Sequence, residues 1–186
     1  MSDFPTDAVL AQVSHRPWPM PDEPWIMTQS WHDLLFAHWP VAPDTLRELV
    51  PPGLELELFD RRAWLGVIPF HMSNVAPRGV PSLPWVSAFP ELNVRTYVRV
   101  GDKPGIYFFS LDPGNPLAVM VARALFHLPY FSAVMDVEHR DGYEYYASIR
   151  ENTMADASGI RLPSMAPVLH FARRQDMVAF ALARVA

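Results

Sequence analysis

Three polar residues at alternate positions, Glu91, Asn93 and Arg95, form the most chemically suggestive pattern in this chain. They lie in Phe89-Pro90-Glu91-Leu92-Asn93-Val94-Arg95-Thr96-Tyr97-Val98-Arg99-Val100, where polar and apolar side chains alternate. A β-strand with that pattern sends Glu91, Asn93, Arg95, Tyr97 and Arg99 to one face and Leu92, Val94, Thr96, Val98 and Val100 to the other. If the polar face lines a cavity, Glu91 supplies an acid or base and Arg95 a planar fork for a carboxylate. If it meets water, it is an ordinary solvated sheet face. Arg123 sharpens the choice, because it is the odd member of Pro116-Leu117-Ala118-Val119-Met120-Val121-Ala122-Arg123-Ala124-Leu125-Phe126. That run is apolar nearly all round and predicts one long buried helix, capped by Asp112 or Asn115 and stopped by Pro129. An unpaired guanidinium in a core costs several kcal/mol, so a carboxylate from Glu91 or from a ligand belongs beside Arg123. The alternative is an arginine that reaches out to water at the helix end.

The elements that would position these residues are mostly strands. Gly101-Asp102-Lys103-Pro104-Gly105 has hairpin-loop chemistry, and Ile106-Tyr107-Phe108-Phe109-Ser110 returns as the partner strand. Upstream, residues 1–25 form an arm in which Pro17, Pro19, Pro21 and Pro24 forbid a helix over 12–25, with Trp18 and Trp25 as anchors. Trp31-His32-Asp33-Leu34-Leu35-Phe36-Ala37-His38-Trp39 reads as strand. Residues 42–50 form a short helix with Leu46, Leu49 and Val50 on its covered side and Pro51-Pro52-Gly53 as its stop. Leu54-Glu55-Leu56-Glu57-Leu58 alternates strictly, Asp60-Arg61-Arg62 turns the chain, and residues 63–72 follow as a strand in which Pro69 suggests an edge or a bulge. Residues 76–88 read as a proline-rich loop long enough to be a lid or a rim over a pocket. A second hairpin joins 132–140 to 143–151 through Asp141-Gly142, and 163–186 reads as one helix. Six or more strands in hairpin order with one long helix give an α+β fold on a curved antiparallel sheet or β-barrel, in a single domain over 1–186.

Composition narrows the function classes. With 186 residues, half of them hydrophobic, the chain fills one core of ordinary size and is not a disordered segment. A net charge of -5 provides no positive field for nucleic-acid phosphates. No apolar run reaches the roughly 18 residues of a membrane span, and residues 1–11 lack a signal-peptide pattern, so a cytoplasmic location is expected. Cysteine is absent, which removes disulfides and thiolate ligands.

Dedicated catalytic motifs are equally scarce. His32, His38, His71 and His127 show neither a His-x-His nor a His-Glu-x-x-His spacing, so no metal and no cofactor is expected. Nucleophile-elbow, phosphate-loop and dinucleotide fingerprints are missing from the sequence. Lys103 is the sole lysine, and a solvated turn gives it neither the burial nor the neighbouring cation that an imine-forming amine requires.

Leu35-Phe36-Ala37-His38-Trp39-Pro40, Pro51-Pro52-Gly53-Leu54-Glu55, Trp64-Leu65-Gly66-Val67-Ile68-Pro69-Phe70, Glu91-Leu92-Asn93-Val94-Arg95-Thr96-Tyr97 and Tyr107-Phe108-Phe109-Ser110-Leu111-Asp112 occur in an order that resembles the YqjF-like uncharacterised bacterial family. That resemblance runs from about Trp31 to Arg150, and the family is in turn similar to acetoacetate decarboxylase, a barrel-like antiparallel sheet around a pocket. The decarboxylase pattern places a glutamate on a strand, matched by Glu91, and then a helix written Gly-Arg-Glu-Leu-Trp-Gly-Phe-Pro-Lys-Lys. Residues 122–131 lie across that motif, with Arg123, Leu125 and Pro129 agreeing and Tyr130 and Phe131 replacing both lysines. The resemblance therefore implies the fold and a pocket near Tyr130, without Schiff-base decarboxylation. It also implies a longer tail than 165–186 provides; a shortened one would leave a strand edge open or pair it with another subunit, so a homo-oligomer is one expectation.

The leading expectation is a binding protein for a small organic molecule, anionic or carbonyl-bearing. Glu91 is the catalytic candidate, and Arg123, Arg95, Asn93, Tyr130 and Tyr107 are the ligand-binding candidates. A lysine-independent enzyme using Glu91 as general base for enolisation, isomerisation or hydration is the second expectation, and a structural protein with a filled barrel is the third.

Overall fold

The computed structural model describes residues 6–16, 18–82, 87–116, 118–120, 128–140 and 143–150, and the strand backbones at 169–172 and 178–182. Arg123 and His127 lie outside the described residues, as do 121–127 of the expected long helix. What is described of that run is helical at Pro116 and at 118–120, and Met120 there is 61% exposed. A long buried helix is therefore not what the described residues form.

The chain divides into two compact units: Met1–Leu34, Phe70–Phe89 and Arg174–Ala186 in the first, Leu35–Pro69 and Pro90–Arg173 in the second. Both are mostly antiparallel sheet with few helices, α1 (Thr6–Leu10) and α2 (Pro43–Arg47) being five residues each. In neither unit do the described strands close into a barrel.

In the first unit, β1 (Met27–His32) pairs antiparallel with the later half of β4 (Ala63–Pro77) on one side and with β10 (Val178–Leu182) on the other. Trp31 stacks on Phe70 with ring centroids 4.3 Å apart, which buries large apolar area at this end of β4. Thr28, Gln29 and Ser30 are buried as well. Their polar atoms are met locally: Trp31 Nε1 donates to Gln29 Oε1 at 2.8 Å, Asn74 Nδ2 to Ser30 Oγ at 3.2 Å, and Thr28 Oγ1 to the Asn74 carbonyl at 3.2 Å.

The second unit holds β2 (Ala37–Val41), α2, β3 (Glu55–Leu56), the first half of β4, β5 (Phe89–Val100) from Pro90 onward, β6 (Lys103–Pro113), β7 (Ala133–Arg140), β8 (Tyr143–Arg150) and β9 (Leu169–Ala172). β5 pairs along its length with β6, and β3 pairs with it at Glu55↔Arg99 and Leu56↔Val98. Thr96 on β5 ties to its neighbour β4, its Oγ1 donating to the Trp64 carbonyl at 2.9 Å. β7, β8 and β9 form a separate three-stranded sheet. The core gathers Leu46, Val50, Ala63, Val98 and Phe109, with Val94, Leu65 and Tyr107 packed against it. Leu46 and Val50 reach it because Pro43 starts α2 and Arg47 closes its end, the Arg47 guanidinium donating to the carbonyls of Val50, Leu54 and Pro51.

Several expectations are corrected. The stretch 31–39 is two strands, broken where Asp33 turns with φ 50°. Leu49 points away from the core and is 39% exposed. The first hairpin turns on Gly101 and Asp102 alone, since Lys103 already pairs with Val100, and Gly101 supplies the positive φ of 60°. Pro69 marks no edge: β4 is an interior strand, and Pro69 falls between the segment paired with β2 and the segment paired with β1, where its missing N–H leaves no gap in either ladder. The tail is not a helix. Residues 169–172 and 178–182 are strands that cover the otherwise open edges of β8 and β1.

Candidate functional site

No residue of β5 from Phe89 to Val98 is exposed, and Glu91, Asn93 and Arg95 are buried, so this polar row is not a solvated sheet face. The even-numbered face packs Val94 and Val98 into the core. On the other face Glu91 is 3% exposed, Asn93 1% and Arg95 6%. The register carries this row onto β6, with Asn93 opposite Leu111 and Arg95 opposite Phe108. Leu111 in turn forms a parallel bridge to Tyr130, accepting from the Phe131 N–H at 2.9 Å and donating to the Pro129 carbonyl at 2.9 Å. Tyr130 thereby joins the same side as Glu91.

Burial governs the electrostatics at this end. The Glu91 carboxyl is pushed up from 4.5 to about 8, chiefly by loss of water and further by the charge of Asp112; hydrogen bonding from Asn93 opposes the shift. Asp112, opposite Leu92, is also raised by burial, but Arg150 holds its charged form, with Nε and Nη2 donating to the two carboxylate oxygens at 2.8 and 2.9 Å. The Arg150 guanidinium lies 4.2 Å from the Phe131 ring centre. Of two neighbouring carboxyl groups, one thus has an arginine that opposes its upward shift, while the other, raised to about 8, holds a proton at neutral pH. Tyr130 is raised by burial and by the charge of Glu91, so it remains a neutral phenol that can donate.

At the other end of the row, Arg95 is held by rings rather than by an acid. Its guanidinium carbon is 5.4 Å from the Phe36 ring centre and 6.0 Å from that of Tyr97. Among the described residues no acceptor meets its buried Nε, and no donor meets the buried Oδ1 of Asn93. His38 sits beside this arginine, its Nε2 2.6 Å from the Tyr97 hydroxyl. Gly66, opposite His38 in the β2–β4 ladder, leaves the room: a Cβ there would lie 3.2 Å from His38 Nε2 and 3.5 Å from Arg95 Cγ.

Glu91, Asn93, Arg95 and Tyr130 are therefore brought to one side of the sheet. Tyr107 is not with them; it lies opposite Thr96 and packs edge-on against Phe109, 5.5 Å between centroids, on the core side. Arg123 falls outside the described residues. His32 is hydrogen-bonded to the Ser73 hydroxyl at 2.6 Å, with the His71 ring 6.4 Å away. Lys103 is exposed beside the hairpin turn. Sequence reasoning missed Asp112, Arg150 and Phe36, and it weighed His38 only as a metal ligand. The glycine within the β4 pattern was the available signal for a close approach at His38.

Comparison with known proteins follows from residues 28–158, which contain this row and match the family described as an uncharacterised conserved protein, DUF2071. The chain belongs to the DUF2071 family. Glu91, Asn93, Arg95, Asp112, Tyr130 and Arg150 all fall inside the DUF2071 segment. The protein is similar to the uncharacterised protein YqjF of Bacillus subtilis (strain 168), at 37% identity over 86% of this chain and 92% of that one. Among solved structures, this DUF2071 chain is similar to an acetoacetate decarboxylase, with 16% identity, a TM-score of 0.49 and coverage of 80% of this chain and 55% of that chain. It is also similar to the enduracididine biosynthesis enzyme MppR complexed with pyruvate, with 15% identity, a TM-score of 0.48 and coverage of 73% of this chain and 55% of that chain. The DUF2071 chain thus spans little more than half the length of these solved relatives. No helix among the described residues is long and apolar enough to cross a membrane.

Proposed function

We propose that this protein binds a small organic carboxylate or carbonyl compound at the buried polar face of β5, with the protonated Glu91 donating a hydrogen bond and no imine formed. The observation that carries this reading is the pair of unmet polar atoms on that face, Arg95 Nε and Asn93 Oδ1. Leaving such a buried group unsatisfied costs about 1–3 kcal/mol, and an anionic or carbonyl oxygen at Arg95 and a donor at Asn93 would remove that cost. Glu91 fits the same reading: a carboxyl pushed up to about 8 is protonated at neutral pH and can donate to a ligand oxygen. An amine route has no support here, because Tyr130 and Phe131 carry no amine and Lys103 is exposed at the hairpin turn.

One feature favours a catalytic version. A group near 8 exchanges a proton within the working range of acid–base catalysis, so Glu91 fits enolisation, isomerisation or hydration of a carbonyl compound, with Tyr130 as a neutral donor to the developing oxyanion. A base role predicts rates that rise with pH and level off above about 8.

The test is calorimetric titration of small monocarboxylates, oxo acids and neutral ketones into the wild type, Glu91→Gln and Arg95→Leu at pH 7. Binding of at least one class that weakens roughly tenfold or more in Arg95→Leu supports the reading, that being the worth of one charge-assisted hydrogen bond. Binding that neither variant changes refutes it. Turnover of a bound carbonyl compound, lost in Glu91→Gln, would establish the catalytic version.

A further inference from the structure

The first unit carries a second constellation, drawn from other residues than the polar row of β5. Its geometry points to a serine nucleophile at Ser73, with His32 as general base and Asn74 as oxyanion donor, suited to the hydrolysis of short-chain carboxylic esters.

Antiparallel pairing assembles it. In the β1–β4 ladder Ser30 stands opposite Ser73 and His32 opposite His71, so all four side chains leave the same face of the two strands. Trp31 and Met72 leave the other face, where Trp31 stacks on the fully buried Phe70 and fixes the strands from behind. His32 Nε2 lies 2.6 Å from Ser73 Oγ, within the reach a base needs to take the hydroxyl proton. The His71 ring, tilted by 52° with its centre 6.4 Å from that of His32, borders the pair.

Asn74 joins them because the ladder is irregular at this point. The register slips between Thr28 and Ser30, and Asn74 takes a positive φ of 54°, which asparagine tolerates better than most side chains. Its amide thereby reaches the serine face: Asn74 Nδ2 donates to the Oγ of Ser30, the residue directly opposite Ser73, at 3.2 Å. A primary amide carries two hydrogens, which leaves the second for an oxygen that gains charge. Asn74 is exposed while Ser73 and His32 are half-buried, so an ester carbonyl arriving from solvent at Asn74 meets the hydroxyl of the preceding residue.

The reaction balances with water as its co-reactant. Ser73 Oγ bonds to the acyl carbon as its proton passes to His32 Nε2; the bond from that carbon to the alcohol oxygen breaks, and His32 returns the proton to the departing oxygen. Water, deprotonated by the same imidazole, then cleaves the acyl-serine, releasing a carboxylic acid and restoring the hydroxyl. The three groups address the ester carbonyl alone, and that sets the class as short-chain esters.

Two measurements on the whole chain test this: turnover of 4-nitrophenyl acetate, and peptide mapping after treatment with an alkyl fluorophosphonate. We expect the phosphonate on Ser73. Ser73→Ala should remove the adduct and lower turnover at least about tenfold, and His32→Gln should slow labelling by about 100-fold or more. Asn74→Gly, which keeps the left-handed backbone and removes the amide, should lower kcat by about 100-fold with little change in KM. Mapping on the wild type reads the nucleophile even where a variant fails to fold. No adduct, an adduct on a residue other than Ser73, or turnover in Ser73→Ala equal to that of the wild type overturns the assignment. Labelling of Ser73 at an unchanged rate in His32→Gln overturns the base.

Discussion

Replacing Glu91 with glutamine should make the protein more resistant to unfolding as pH rises, by an amount that the buried carboxyl fixes. In the unfolded chain this group titrates at its ordinary 4.5, and in the folded protein at about 8. Between those values the folded state holds a proton that the unfolded state has released, so the wild type loses stability as pH climbs. Relative to a fully protonated side chain, linkage puts the penalty at about 1 kcal/mol at pH 5, about 3 at pH 7 and between 4 and about 5 at pH 9. Glutamine keeps the shape and cannot ionise. The stability difference between Glu91→Gln and wild type should therefore shift in favour of glutamine by about 4 kcal/mol from pH 5 to pH 9, most of it below pH 8. Asp112 is present in both proteins, so its own upward shift largely cancels. With a urea dependence of about 2–3 kcal/mol per molar, the difference in unfolding midpoints should move by about 1.5–2 M, readable by circular dichroism. A difference that stays flat within about 1 kcal/mol across that range would show that Glu91 titrates normally, and the acid end of the proposed site would be lost with it.

Other perturbations follow the same geometry. Asp112→Asn leaves the largely buried Arg150 guanidinium without its carboxylate and should cost about 3–5 kcal/mol in urea unfolding. By removing a neighbouring charge it should also lower the Glu91 midpoint in the pH series. Gly66→Ala pushes a Cβ against His38 Nε2 and Arg95 Cγ, so it should cost about 1–3 kcal/mol in urea unfolding and weaken binding of a carboxylate at Arg95 in calorimetric titration. Leu46→Ala, in the core on the opposite face of β5 from the polar row, should cost about 2–5 kcal/mol by opening the core while leaving ligand affinity unchanged in the folded protein.

How much was legible beforehand depended on whether the deciding contact was local. β5 and β6 announced themselves through strict alternation and a glycine turn, and α2 through Pro43 and the Pro51-Pro52-Gly53 stop, because each signal lies within a few residues of what it controls. The burial of Glu91, Asn93 and Arg95 did not, since a polar row reads the same against water as against protein. The apolar run offers Asp112 or Asn115 as its cap; Asn115 is the one that caps, its Oδ1 accepting from the Ala118 N–H at 3.2 Å, whereas the partner of Asp112 is Arg150, 38 residues downstream. The tail failed for a related reason. Its alanines favour a helix, while Val178, Phe180 and Leu182 alternate only weakly, and the pairing partner that settles the matter is β1 at the other end of the sequence.

The lone lysine offers a practical handle. Lys103 protrudes at the tip of the β5–β6 hairpin, and its ladder partner Val100 is nine residues, about 30 Å of strand, from Glu91. A lysine-selective fluorophore or biotin attached there would report on, or immobilise, every molecule in one orientation without crowding the polar row.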